Sequence, residues 1–362
     1  MRVIIDSHLD LSWNALGWNR DLTQSVGDIN AAEAGMTDDD ARGRATTSLP
    51  EMRRGGVAVC LATVLARVSP RARTTDGERR LSVDHAHPAT AYAVAQGQLA
   101  YYRLLESQGA IRFLRTAEDL KRHWEQWNGP STELCPLGII LAMEGADPIF
   151  SPDQAESWWD DGLRSLSLAH YGPSRYAVGT GKEGPLTTQG RQLLAEMDRL
   201  GMILDITHLS EPGFTEALEL FGGPVMASHN NCRALVPGDR QFSDEQIGRL
   251  VARNTVIGVA LDAWMLYPGW EKGRTSREVV RIDAACDHVD HICQVSGDCR
   301  HVGIGSDLDG GYGTEQTPVG LDTIADLQKL ADILSGRGYS DDDINAVFHG
   351  NWLSFFDRYL PQ

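Results

Sequence analysis

Short apolar runs, each closed by Gly, Pro, Asn or Asp, recur along the chain and alternate with longer stretches whose apolar residues repeat every three to four positions. The short runs predict eight strands, at Val3–Ile5, Val57–Val64, Gly138–Met143, Leu163–Leu168, Met202–Ile206, Pro224–Ala227, Thr255–Leu261 and His301–Ile304. Helices are predicted between most of them, over 90–107, 189–200, 212–221, 243–253, 278–295 and 320–335. This alternation is the pattern of βα units on a parallel sheet, and strands as uniformly apolar as several of these are expected when both faces are covered.

The residues just past the strands sharpen the fold. Strand 1 runs into His8 and Asp10, strand 3 into Glu144, strand 4 into His170, strand 5 into His208, strand 6 into His229, strand 7 into Asp262 and strand 8 into Asp307 and Asp309. Groups able to bind ions therefore come directly after seven of the eight strands. In a barrel those carboxyl ends converge on one face, whereas an open sheet spreads them along a line. The predicted fold is an α/β, (β/α)8 TIM-type barrel, with a doubly wound open sheet as the alternative. One domain is expected over residues 1–362, because barrels of this length are commonly single units. The polar stretches 14–50 and 66–89 are long for βα connections; they either shape a pocket over the active face or are plain surface insertions. The tail, 341–360, predicts a capped helix, a Gly-Asn turn and a closing amphipathic helix.

Composition narrows the class. With 42% hydrophobic and 23% charged residues the chain can bury a large core. A net charge of −17 argues against nucleic acid or an anionic membrane as partner, since both reward a basic face. The opening MRVIIDSHLDLSW lacks the features of a signal peptide, and no window approaches the roughly 18 apolar residues of a membrane span, so a soluble cytoplasmic protein is expected. The six cysteines are scattered without a Cys-x-x-Cys pair, which favours free thiols over a disulfide or thiolate–metal framework.

The candidate chemistry lies at the strand ends. In His8-x-Asp10 two side chains two residues apart on a strand point to one side and can hold one cation, a pairing that suits zinc. Taken singly, a His-x-Asp can equally be structural. Glu144 comes after an apolar strand, where an unpaired charge is costly, so a cation, an ion pair or a helix cap is required there. His208 and His229 likewise come after apolar strands, and each alone could be a hydrogen-bonded core histidine. Together the five point to a metal site.

The runs DSHLDLSW, LAMEGAD, LSLAH, GPLTTQGRQLLAEMDRLGMILDITHLS, ASHN and GIGSDLDGG, in that order, resemble the membrane dipeptidase (renal dipeptidase) family of zinc peptidases, from residue 6 to the Gly-Asn-Trp segment at 350–352. The resemblance implies a metal-dependent hydrolase with two Zn2+ ions, one held by His8, Asp10 and Glu144 and the other by Glu144, His208 and His229, bridged by Glu144 and a hydroxide. Two adjacent cations lower the pKa of shared water from about 16 toward neutrality. It implies Asp307 as the proton-transfer residue, His170 as the donor to the substrate carbonyl oxygen, and Arg240 as the partner of the substrate carboxylate. Asp309 is expected to be structural.

The chain departs from that family in two places. Glu144-Gly145-Ala146-Asp147 stands where members often have Glu-Gly-Gly-His, and Ala260-Leu261-Asp262-Ala263-Trp264 stands where better-known members have Asn-Phe-Tyr. Asp262 is then read as a substrate-side group that partners the free α-amino end. No counterpart of the lipid anchor and inter-subunit disulfide of mammalian members is expected here. The expected activity is hydrolysis of short unblocked dipeptides, a C-terminal D-residue included. The alternatives are a barrel metallohydrolase of another small amide or lactone, and a non-catalytic metal-stabilised barrel. The expected partner is a small dipeptide, not nucleic acid or membrane, with a homodimer left open.

Overall fold

The computed structural model describes residues 1–70, 83–130 and 132–362. Residues 71–82, inside the predicted 66–89 loop, and Ser131 lie outside the described residues. Eight parallel strands form the barrel: β1 (Ile4–Leu9), β2 (Val57–Val64), β3 (Leu137–Met143), β4 (Leu163–Ser167), β5 (Ile203–Asp205), β6 (Val225–Met226), β7 (Ile257–Val259) and β8 (Val302–Ile304). They run in the spatial order β7-β8-β1-β2-β3-β4-β5-β6. The ring closes through a parallel bridge of Ala227 with Ile257, where Gly258 N donates to Ala227 O at 2.8 Å. An open sheet is thereby excluded.

Every residue of β2 and β3 is buried, which is why β3 reads as an unbroken apolar run and β2 as one interrupted only by Thr63. β1 extends past the predicted Ile5 to Leu9, so His8 is a strand residue. Its polar positions are satisfied by neighbouring and facing strand ends: Asp6 Oδ1 accepts from Ser306 N, just past the adjacent β8, at 2.9 Å, and Ser7 Oγ donates to Ser228 O, past β6, at 2.6 Å. The inner space there is so tight that a Cβ on Gly258 or Gly305 would lie 2.0 or 1.9 Å from Ser228 O, so only glycine fits.

Some elements depart from expectation. A further strand, Ile111–Phe113, pairs with the first half of β3, leaving the half from Leu141 onward to β4. The helix after it, Ala117–Trp127, starts at a Thr116/Asp119 capping box. The predicted helix 278–295 begins only at Asp283, and 320–335 divides into a 3-10 turn, Ile324–Gln328, and an α-helix, Lys329–Gly336. The Gly-Asn turn is absent: Gly350 is helical, and a wide turn over Ala346–Gly350 continues straight into the helix Asn351–Tyr359. Asn351 is used instead to donate to Val302 O at 2.7 Å, tying the tail to the start of β8.

The 14–50 stretch is built rather than loose. Glu33 accepts from Arg20 Nε at 2.8 Å and Arg42 Nη1 at 2.7 Å, and both guanidiniums lie over the Trp18 ring. Asp309 has the structural role expected of it, accepting from Thr46 N, Thr46 Oγ1 and Thr47 N and so fastening this insert to the loop after β8. The six cysteines are free.

Candidate metal centre

The carboxyl ends of the strands bring the predicted residues into one cavity of about 240 Å³, lined by Asp10, Glu144, His170, His208, His229, Arg240, Asp262 and Asp307. His8 stands beside it. At its centre is Glu144 Oε1, which lies 3.2 Å from His208 Nε2, 3.3 Å from His229 Nε2, 3.6 Å from His8 Nε2 and 3.7 Å from His170 Nε2. Asp10 Oδ1 and Asp307 Oδ1 are 3.8 and 3.7 Å from His8 Nε2.

Groups behind the histidines decide which ring nitrogen faces the cavity. Ser228 Oγ donates to Asp205 Oδ2 at 2.5 Å, so it accepts from His229 Nδ1 at 2.8 Å. Thr180 Oγ1 lies 3.0 Å from His208 Nδ1, with its own proton directed at His208 O. Both rings then carry their proton on Nδ1 and present an Nε2 lone pair inward. Those two Nε2 atoms are 3.1 Å apart and both face a carboxylate oxygen. Lone pairs directed at one another repel unless a cation lies among them. His8 Nε2, also buried, has no hydrogen-bond partner among the described residues. Thr63 Oγ1 donates to Asp10 Oδ1 and orients that carboxylate.

Electrostatics agree. Burial pushes the His8 imidazole down to about 3 and holds His208 and His229 well below the usual histidine range, so all three are neutral, as ligands must be. Burial, reinforced by neighbouring carboxylates, pushes Glu144 and Asp307 well above the usual carboxylate range, and burial lifts Asp10 to about 6. Carboxyls so placed need a cation to stay ionised. Imidazole nitrogen with carboxylate oxygen is a donor set that fits zinc.

The backbone is strained at two of these positions: His208 and Asp307 have φ of +69° and +58°, uncommon for residues with a side chain. Room for the Asp307 carboxylate comes from Gly310, where a Cβ would lie 2.1 Å from Asp307 Oδ1. Arg240 is buried; its Nη2 donates to His229 O at 2.7 Å, while Nε and Nη1 have no partner among the described residues. Asp262 lines the cavity, but its carboxylate already accepts from Gln316 Nε2 at 2.8 and 2.9 Å and from Trp264 N at 3.1 Å, capping the short helix Ala263–Leu266. Sequence reasoning missed Trp13, Leu65, Arg67, Val83, Tyr171, Trp264 and Met265 in the wall. Trp13 and Trp264 lie in runs already singled out, but none of the seven is itself a ligand type that sequence spacing would mark. The supporting Thr180 and Ser228 carried no signal, since a serine or threonine near a strand end is ordinary, whereas Asp205, an acid at the end of an apolar strand, could have been found by the same rule as Glu144.

Over residues 1–358 the chain matches the family described as membrane dipeptidase, peptidase family M19. The chain belongs to the membrane dipeptidase family. Similar curated proteins include a dipeptidase, aclJ, of Aspergillus oryzae, 32% identical over 60% of this chain and 50% of its own length, and human dipeptidase 3, 26% identical over 61% and 44%. The matched region thus spans about half the length of such relatives. Among solved structures, a metallo peptidase from Rhodobacter sphaeroides, liganded with a phosphinate mimic of the dipeptide L-Ala-D-Ala, is 25% identical, with a TM-score of 0.77 over 99% of this chain and 100% of that one. A family M19 dipeptidase with 24% identity superposes at a TM-score of 0.78 over 100% and 99%. As a member of this metallopeptidase family the chain has a metal cofactor implied for it, and the groups around Glu144 lie close enough together that they could hold one. Among the described residues, no helix is long and apolar enough to cross a membrane.

Proposed function

We propose that the chain is a two-zinc dipeptidase hydrolysing short unblocked dipeptides, those with a C-terminal D-residue included. The observation that carries this reading is the convergence of three neutral Nε2 atoms on Glu144 Oε1 in the same cavity where buried Arg240 has two donor nitrogens to spare. His8 and Asp10 would hold one ion, His208 and His229 the other, and Glu144 both. When bound, the ions supply Lewis acidity, polarising the scissile carbonyl and lowering the pKa of water so that hydroxide is available near neutral pH.

The chain's own residues do the rest. Arg240 binds the substrate carboxylate with its free guanidinium edge. His170 donates from Nε2 to the carbonyl oxygen as negative charge develops there. Asp307 takes the proton of the attacking water and passes it to the leaving amine, a task for a carboxylate whose Oδ1 stands at the cavity 3.7 Å from His8 Nε2. Asp262 is the acidic partner for the free α-ammonium, its oxygens oriented by Gln316. Charge at both ends favours dipeptides, because a longer peptide sets a neutral amide against a buried charge. The L-Ala-D-Ala mimic bound to the Rhodobacter sphaeroides relative supports acceptance of a D-residue.

The test is a screen of the zinc-loaded protein against L,L, L,D and D,L dipeptides beside N-acyl amides and lactones. Hydrolysis of unblocked dipeptides is expected. Turnover confined to the amides or lactones would assign the barrel to another small-substrate metallohydrolase.

A further inference from the structure

Four histidine rings approach Glu144, but one differs in what stands behind it. His208 and His229 have hydroxyl groups at Nδ1, at 3.0 and 2.8 Å, and a hydroxyl oxygen can accept the ring proton. Behind His170 Nδ1 stands the Arg67 guanidinium, with Nη1 at 3.3 Å. A guanidinium has donors and no acceptor. The bond can form only if Nδ1 holds a lone pair, which makes the ring neutral with its single proton on Nε2. The nitrogen that carries it faces the cavity, 3.7 Å from Glu144 Oε1.

Arg67 is held for this. Its Nε and Nη2 donate to Asp84 Oδ1 and Oδ2 at 2.8 and 2.9 Å, a bidentate clamp that leaves Nη1 for His170. Arg67 and Asp84 are register partners in a two-stranded ribbon, Arg67–Val68 with Asp84–His85. The ribbon is fastened to the loop after β3 by Asp147, whose Oδ2 accepts from Val68 N at 2.7 Å while Oδ1 accepts from Arg175 N at 3.2 Å.

We propose that Arg67, clamped by Asp84 on a ribbon anchored by Asp147, is a positioning residue that fixes His170 in the Nε2–H form, making it a hydrogen-bond donor to substrate and withholding it from the metals. His170, Glu144 and His208 come close enough to hold an ion by distance alone. The tautomer removes His170 from that set. The inference rests on the dipeptidase reading only for the identity of the oxygen that receives the hydrogen bond.

The test reads the ring directly, in zinc-loaded protein carrying 15N-histidine, with His170 assigned by comparison with His170→Asn. Wild type should show an unprotonated, hydrogen-bonded Nδ1 and a protonated Nε2 at His170. In Arg67→Met the Nδ1 signal should move toward that of an unbonded lone-pair nitrogen, kcat should fall about 10-fold with zinc content and KM little changed, and Arg67→Lys should restore part of the loss. A protonated Nδ1 in wild type, or scalar coupling between 113Cd and His170 Nε2 in the cadmium-loaded protein, overturns the proposal. So does an Arg67→Met variant with unaltered kcat. The nitrogen signals need no substrate, so an intact tautomer in a protein inactive on dipeptides would sink the dipeptidase reading and leave this one standing.

Discussion

Replacing Arg240 by alanine tests how the site measures its substrate. The side chain is 3% exposed and makes one hydrogen bond, from Nη2 to His229 O at 2.7 Å, while Nε and Nη1 have no partner among the described residues. A buried guanidinium with donors to spare is costly until an anion arrives, so a dipeptide carboxylate gains a desolvated, charge-assisted pair. Removing one side of such a pair costs on the order of 2 to 4 kcal/mol, or roughly 30- to 900-fold in kcat/KM. Because Nη2 also supports the His229 loop, part of any loss could be structural. A cycle separates the two: kcat/KM is measured for a dipeptide and its C-terminal amide, in wild type and in Arg240→Ala, with zinc content checked in both. Wild type should prefer the free acid by the factor above, and the variant should treat acid and amide almost alike. Equal losses on both substrates, or a wild type that cleaves the amide as well as the acid, would refute the assignment.

Asp307→Asn keeps the shape but cannot accept a proton, so kcat should fall by roughly 10²-fold or more while two metals are retained; near-normal turnover, or loss of a metal, would show that Asp307 acts otherwise. Chelation should abolish hydrolysis and lower the melting temperature, because it leaves Asp10, Glu144 and Asp307 buried together without a counter-charge. Zn2+ should restore both, and elemental analysis giving at most one metal per reconstituted chain would sink the two-ion arrangement. Away from the site, His288 accepts from Cys232 N at 3.0 Å, and burial lowers its pKa from 6.5 to about 3. Its folded pKa is depressed, so its contribution to stability is complete above 6.5 and is lost as pH falls toward 3, while the unfolded chain protonates and the folded ring does not, by about 1.4 kcal/mol per pH unit. The stability difference between wild type and His288→Gln should therefore shrink by roughly 2 kcal/mol from pH 6.5 to 5; a constant difference would contradict a neutral buried ring.

The eight strands and the polar groups at their ends were readable from sequence because burial imposes local periodicity, and because an ionisable residue straight after an apolar strand is chemically conspicuous. Thus His8, Glu144, His208 and His229 stood out without any knowledge of what they touch. Other features had no local signal. Asp6, Ser7 and His8 look like the end of a strand, yet β1 continues through them because their bonding partners, Ser306 past β8 and Ser228 past β6, are hundreds of residues away in sequence. Gly350-Asn351 has the composition of a turn but is helical, since Asn351 finds Val302 O. Asp262 reads as a substrate-side group, and only the fold brings Gln316 to it from 54 residues away. Arg67 reads as one more surface cation until Asp84 turns it toward His170, 103 residues further on. Sequence determined which groups are buried at the strand ends, because that is set by neighbours along the chain. Which nitrogen of each histidine faces the cavity was decided only by tertiary structure, because it depends on a single hydrogen-bond partner brought there by closure of the barrel.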